Sequence, residues 1–349
     1  MQTEHTESPE RGPRARDAQI GLALWATQPA PVMAAHASLA EEIGLESAWI
    51  IDSQLLCREV YITLALCLAR TTRLRVATGV TQPVTRHSSV VASAFATLDE
   101  MAPGRAIMGL GSGFSSLLTI GKRAARIDEM EQFAATVRAL LAAQPASFDR
   151  ETRAGLSWIS EPTRVPIHIA ASGPRMMRSA GRSGDGAILL HGTAPDLLAR
   201  AIGWLDEGSA AASRATHSVE VSCWAPFSLD ADRRKAYDRA RTRVAGALAQ
   251  ANPDWFEGAE RQAVQTLQQN YKVGDHAQAM AGHAALVPDS LVRKFAVAGD
   301  AMEVREQLQE LKAHPRLDRI ILNPQVSGAG ALALEDVLRD LGDTVLLRL

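Results

Sequence analysis

The sequence predicts an α/β fold, a single (β/α)8 TIM barrel carrying insertion segments. Short apolar runs with β-branched residues recur at 20–24, 47–52, 74–79, 105–111, 165–171, 186–190, 219–224 and 318–322. Longer segments of helical periodicity separate them, the pattern of parallel strands joined by crossover helices. The runs number eight, which is the strand count that closes a barrel.

The helices carry their own signals. Pro31 opens the first, whose Met33, Leu39, Ala40 and Ile43 share a face, and Gly44 stops it. Ser88 and Ser89 can cap a helix over 90–101, after which Pro103 and Gly104 turn the chain into the fourth strand. A further helix is expected over about 126–142, and a last one over 334–347 closes the outer ring. Two connections, 143–164 and the largely helical 230–294, exceed ordinary barrel loops, and long insertions tend to be functional. Residues 1–18 read as a tail of acids, arginines and prolines without a signal-like apolar stretch, so one domain is expected over 19–349. A doubly wound open sheet is the competing architecture, since Gly109-Leu110-Gly111-Ser112-Gly113 follows a strand. There the third glycine of a dinucleotide loop would fall on Phe114, and no strand-end acid follows at the right distance.

A chain of 349 residues, 46% hydrophobic and 22% charged, can bury a substantial core. The net charge of −2 offers no general attraction to nucleic acid or anionic membranes. No apolar stretch approaches membrane-spanning length. Cys57, Cys67 and Cys223 form no CxxC pair, which points to a reducing, cytoplasmic setting without structural zinc or disulfides. No H-E-x-x-H metal spacing or G-x-S-x-G elbow occurs, so a zinc enzyme or serine hydrolase is disfavoured.

Barrel enzymes build their sites at the carboxyl ends of the strands, so residues there are the candidates. Asp52 follows the second strand with Ser53 and Gln54, as ring contact or as helix cap. The segment from Thr78 to His87 follows the third, and its Thr81, Gln82, Arg86 and His87 can donate to a carbonyl or anionic group. On the fourth strand Gly111 admits close approach of a ligand and Ser112 offers a hydroxyl, although close strand–helix packing explains the glycines equally well. Ala171-Ser172-Gly173-Pro174 turns from the fifth strand into a helix, where successive N–H groups make an anion cradle. Gly192 after the sixth strand can complete that pocket. His168, inside a strand, is expected to be a buried, hydrogen-bonded core histidine.

Jointly these segments resemble the bacterial luciferase-like flavin oxidoreductase superfamily, especially its branch with F420-dependent 5,10-methylenetetrahydromethanopterin reductase. The resemblance lies in Gly44 to Trp49 followed by Asp52, Gly79 to His87, Ala96-Thr97-Leu98-Asp99-Glu100, Gly104-Arg105, Gly109 to Gly113, Ala170 to Pro174 and Asp185-Gly186, in the family's order, and spans about residues 20–224. It implies a homodimeric barrel binding reduced FMN or coenzyme F420. Asp52, Gly79, Val80, Thr81 and Gln82 then lie near the ring, Ser172, Gly173 and Pro174 near the phosphate, and a non-proline cis peptide at Gly79-Val80. The sequence departs from the methanopterin reductase pattern in its first strand, Ile20-Gly21-Leu22-Ala23-Leu24-Trp25, which lacks a carboxylate, and in Gln82, which stands for asparagine.

The expected activity is a monooxygenase that takes FMNH2 from a separate flavin reductase and oxygenates a small organic substrate, with Asp52, Arg86 and His87 as catalytic candidates. Both insertions would form its lid, and Trp25, Trp158 and Trp224 its apolar walls. The alternative is an F420-dependent reductase or dehydrogenase, with Asp52 or His87 as proton donor. A third reading is a barrel that binds a flavin without turnover.

Overall fold

The computed structural model describes residues 17–215, 217–272, 282–325 and 332–349. Its strands are β1 (Gln19–Leu24), β2 (Ser47–Ile50), β3 (Arg75–Thr78), β4 (Ala106–Leu110), the short hairpin β5 (Ala146–Ser147) and β6 (Arg153–Ala154), then β7 (Ile167–Ala171), β8 (Gly186–Leu189), β9 (Glu220–Leu229), β10 (Val297–Gly299) and β11 (Arg319–Pro324). In the order β1-β2-β3-β4-β7-β8-β9-β11 each strand pairs in parallel with the next, and β11 returns to β1. The chain is therefore a closed (β/α)8 barrel, and the open sheet is excluded.

The strands read as continuous apolar runs because both faces are buried. Leu22, Ile50, Val76, Met108 and Ile169 belong to the layer beneath the helices. Their chain neighbours Ala23, Trp49, Ala77 and Ile107, together with Ile188 of β8, fill the barrel. Register keeps the layers apart, Leu22 lying beside Ala48 and Ala23 beside Trp49.

The helices are α1 (Ala30–Glu42), α2 (Val60–Arg70), α3 (Ser88–Met101), the single turn α4 (Ser115–Leu118), α5 (Ile127–Leu141), α6 (Pro174–Ser183), α7 (Pro195–Ala211), α8 (Arg233–Leu248), α9 (Gly258–Asn270), α10 (Asp289–Phe295), α11 (Ala301–Lys312) and α12 (Leu334–Asp340). Prolines in the first turn open α1, α6 and α7, where the missing N–H is not needed. The Glu59 carboxylate accepts from the Ile62 N–H at the start of α2. Asp300 and Glu303 close a reciprocal capping box on α11. The α6–α7 contact is built on glycine: a Cβ on Gly181 would lie 2.1 Å from the Leu205 carbonyl oxygen, and one on Gly208 2.0 Å from that of Arg178.

A charged plug closes the amino-terminal end of the barrel. Arg319, 3% exposed, donates Nε to Glu46 at 2.8 Å, Nη2 to the other Glu46 oxygen at 3.0 Å and Nη1 to Ser222 at 3.2 Å. His168 is fully buried between Trp49, 5.8 Å away ring to ring, and Glu220, 3.6 Å away. Burial, reinforced by the Arg319 charge, pushes the His168 imidazole down to about 4. It is buried in the core as the sequence suggests, but among the described residues neither ring nitrogen makes the expected hydrogen bond.

Two elements differ from expectation. The strand expected over 219–224 runs ten residues, because Pro226, which cannot donate to a ladder, interrupts the pattern without ending the extended backbone. Its outer part leaves the barrel and pairs with β10, Phe227 beside Val297. The final helix stops at Asp340 and continues as a wide turn over Leu341–Val345 and a tight one over Leu346–Arg348. Insertion 143–164 contains β5 and β6, and 230–294 contains α8 to α10. Residues 1–16 of the expected tail lie outside the described residues.

Gly208→Ala is expected to cost about 2 kcal/mol, the scale of an overpacked contact that forces backbone apart, and to lower the urea midpoint; an unchanged midpoint would refute the close approach. Because the folded state holds His168 neutral while the unfolded chain takes the proton near 6.5, its contribution is complete above about pH 6.5 and shrinks as pH falls toward 4. Urea titrations of the wild type should lose about 3 kcal/mol more than His168→Gln across that window. Parallel pH curves would contradict this.

Candidate active site

The carboxyl ends of the barrel strands open into a cleft of about 1270 Å3, part of it open to solvent. Its far wall is the insertion, through Thr242, Arg243, Gly246 and Ala247 of α8 and Phe295 of α10. Among the described residues no group of three His, Cys, Asp or Glu could hold a metal.

At the floor, β3 ends in a bulge. The Gly79-Val80 peptide bond is cis. Gly79 donates to the Ile50 carbonyl at 2.7 Å, and beyond the bulge Thr81 rejoins β4, donating to Gly109 O at 2.9 Å and accepting from Gly111 N at 2.8 Å. Glycine is required along this seam. A Cβ on Gly79 would lie 3.1 Å from Trp224, one on Gly109 2.0 Å from the Thr78 carbonyl oxygen, and one on Gly111 2.5 Å from Val80 Cγ2. Gly111 thus makes room for the bulge, and Val80 presents its side chain to the cleft.

Asp52 stands beside the bulge, 6% exposed. Arg86 clamps it from two nitrogens, at 2.5 and 3.2 Å, and reaches Glu59 at 3.0 Å. Arg86 also lies over the Tyr61 ring at 5.0 Å, and the Tyr61 hydroxyl meets that of Thr81 at 3.1 Å. Burial holds the Asp52 carboxyl above the usual carboxylate value, against the opposing pull of Arg86 and Thr81.

Across the barrel, β7 turns into α6. Ala171, Ser172 and Met176 line the cleft. Gly173 caps α6 without a side-chain hydrogen bond, with no atom within 4 Å of where its Cβ would be. The His191 Nδ1–H donates to the Ser172 carbonyl at 3.1 Å. That ring is wedged between Trp204 and Trp255, 5.3 and 4.3 Å away, and burial pushes it down to about 4. Neutral His191 therefore positions the turn. Gly192 has φ +94°, and a Cβ there would meet the Lys294 carbonyl oxygen at 2.8 Å.

Of the residues the sequence nominates, Asp52, Gly79, Val80, Gly111, Ser112, Ala171, Ser172 and Gly192 line the cleft. Thr81 and Arg86 stand behind Asp52. Gly173 and Pro174 form the helix start rather than the lining. Gln82 is 1% exposed and bends back on its own turn, accepting from Val84 N at 2.6 Å and Thr85 N at 3.2 Å. His87 does not reach the cleft. It is exposed, caps α3 through Ser89 N and stacks 5.4 Å from Phe148 in a separate surface pocket.

Trp25 and Trp224 are cleft walls, whereas Trp158 is 45% exposed and lies outside it. No residue of insertion 143–164 lines the cleft, so of the two insertions it is the α8–α10 one that covers it among the described residues. Sequence reasoning missed Arg243, and also Asn323, whose Oδ1 accepts from Trp25 Nε1 at 3.0 Å. Five arginines crowd α8, and nothing in their spacing singles out one of them.

Residues 11–316 match the Luciferase-like monooxygenase family. The chain is 30% identical over 300 residues to 5,10-methylenetetrahydromethanopterin reductase of Methanolobus tindarius, covering 84% of this chain and 90% of the relative. It is 31% identical over 241 residues to the F420-dependent glucose-6-phosphate dehydrogenase of Kineococcus radiotolerans, covering 64% and 72%. In three dimensions it resembles the coenzyme F420-dependent tetrahydromethanopterin reductase of Methanopyrus kandleri, with TM-score 0.78 and 22% identity over 95% of this chain and 99% of that one. The family match and the barrel with its bulged third strand agree: the chain is an oxidoreductase of the luciferase-like monooxygenase family.

Proposed function

We propose that this chain is a coenzyme F420-dependent reductase or dehydrogenase that passes hydride to or from a small organic substrate. The observation that carries this is its similarity to F420-dependent enzymes, with a relative 30% identical across 84% of the chain. That similarity favours hydride transfer over the expected FMNH2-dependent oxygenation with a separate reductase.

The residues present fit such a cofactor. The open, uncapped start of α6 beside Ser172 offers backbone N–H groups and a positive helix end to a phosphate. The glycine-lined bulge leaves a surface on which Val80 can support a flat ring. When bound, F420 supplies a ring carbon that gives or takes hydride. The protein's share is placement and exclusion of water. His191 holds the Ser172 turn, Trp25, Ile51, Leu190 and Trp224 supply apolar walls, and Asp52 can hold or release a proton at a carboxylate oxygen near the reacting centre. His87, outside the cleft, has no such part. The three free thiols suit a reducing cytoplasm, and a homodimer is part of the proposal.

Anaerobic titration of the purified protein, followed by fluorescence, is expected to show F420 binding more tightly than FMN or FMNH2. Preference for FMNH2 would reverse the assignment to the oxygenase. Ser172→Asp places a negative charge at the α6 start and is expected to weaken F420 binding at least about tenfold; unchanged affinity would remove this turn from the site.

A further inference from the structure

We propose that Arg243 makes this cleft selective for a substrate bearing a carboxylate, which seats on the guanidinium edge above Trp25. The proposal rests on the F420 reading for the position of the reacting ring. Arg243 is 5% exposed, and its Nε, Nη1 and Nη2 are buried without a hydrogen-bond partner among the described residues. Its neighbours on α8 are satisfied, Arg239 by Asp230 at 2.5 Å and Arg241 by Asp238 and Asp289. A buried charge is costly unless paired, so the lone guanidinium calls for an anion that the described residues do not provide. Burial pushes Arg243 down to about 9, which leaves it charged at neutral pH.

The geometry selects the kind of anion. Arg243 Cζ lies 3.9 Å above the Trp25 ring centroid, and that ring is pinned by Asn323. The stacked face is used up, so the N–H groups point outward in the guanidinium plane, the arrangement that matches two coplanar oxygens. Arg243 is also the one cationic side chain lining the cleft among the described residues, and the lining carboxylate, Asp52, is already clamped by Arg86. A single positive charge balances a monoanion and leaves a phosphate dianion undercompensated.

The site is separate from the proposed cofactor phosphate turn. Trp25 follows β1 and Ser172 follows β7, and four steps around the eight-stranded ring put these strands on opposite sides of the barrel. The bulge after β3 lies between them, so a ring resting there has the phosphate turn on one side and Arg243 on the other.

The test is calorimetric titration of the full chain, apo and F420-loaded, with benzoate, its neutral amide benzamide, and inorganic phosphate. Benzoate is expected to bind at least about tenfold more tightly than benzamide and more tightly than phosphate. Arg243→Met should erase that preference, keep F420 affinity within about twofold, and raise the melting temperature because an unpaired buried charge is gone. Arg243→Lys, which keeps the charge without the planar fork, should retain part of the preference. Equal binding of benzoate and benzamide overturns the proposal, as does tighter binding of phosphate. A loss of F420 affinity in Arg243→Met with the benzoate preference intact would assign the guanidinium to the cofactor instead. Failure of F420 to bind the wild type defeats the cofactor reading alone, since the benzoate contrast is read independently.

Discussion

The rest of the structure depends on closure of the parallel ladder, with β1 held between β2 and β11 and β8 paired to β9. A closed sheet has no free edge, so the backbone donors and acceptors of all eight strands are satisfied within it. Because the strands run in one direction, their carboxyl ends share one rim, and residues far apart in sequence meet there. Closure also limits what fits inside. Trp49 occupies the middle of the barrel, and neighbouring strands answer with Gly21, Ala77 and Gly79. A Cβ on Gly21 would lie 2.4 Å from Ser47 Oγ, the atom that accepts from Trp49 Nε1.

The rim is organised as supports behind a thin lining. Val80, Asp52 and Ser172 face the cleft, yet each is held by a residue that does not: Val80 by the room at Gly109, Asp52 by Arg86, Ser172 by His191. Such backing keeps a site in shape before any ligand arrives, which limits the ordering that binding must impose.

Much of this was legible in the sequence. Parallel strands buried on both faces leave apolar runs of characteristic length, and the glycines at the strand ends mark where backbones approach. The segment Thr81-Gln82-Pro83-Val84-Thr85-Arg86-His87 was legible as a rim loop but not in its parts. Its polar groups could all serve a ligand, while in the fold Gln82 serves its own turn, Arg86 serves Asp52, and His87 serves α3. Which way a loop side chain turns is decided by contacts with other elements, and no periodicity records those. Arg243 was hidden for the same reason: its distinction is the absence of a partner among the described residues, a property of the folded surroundings and not of the spacing on α8. The extent of β9 was masked by Pro226.

That long strand has a consequence for how the protein can change. Most of it is a stave of the barrel, paired with β11 as far as Phe227, and its last three residues, 227–229, paired to β10, are the mast that holds α8 and α10 over the opening. The helices packed there have their own apolar cluster, from Tyr237 and Val244 to Val292 and Phe295. Substitutions on that module can alter which molecules are admitted while the bulge and the α6 turn stay as they are. On the proposed function, reaction chemistry and substrate choice are carried on separately mutable stretches of one chain, and descendants of this fold can trade one substrate for another without rebuilding the barrel.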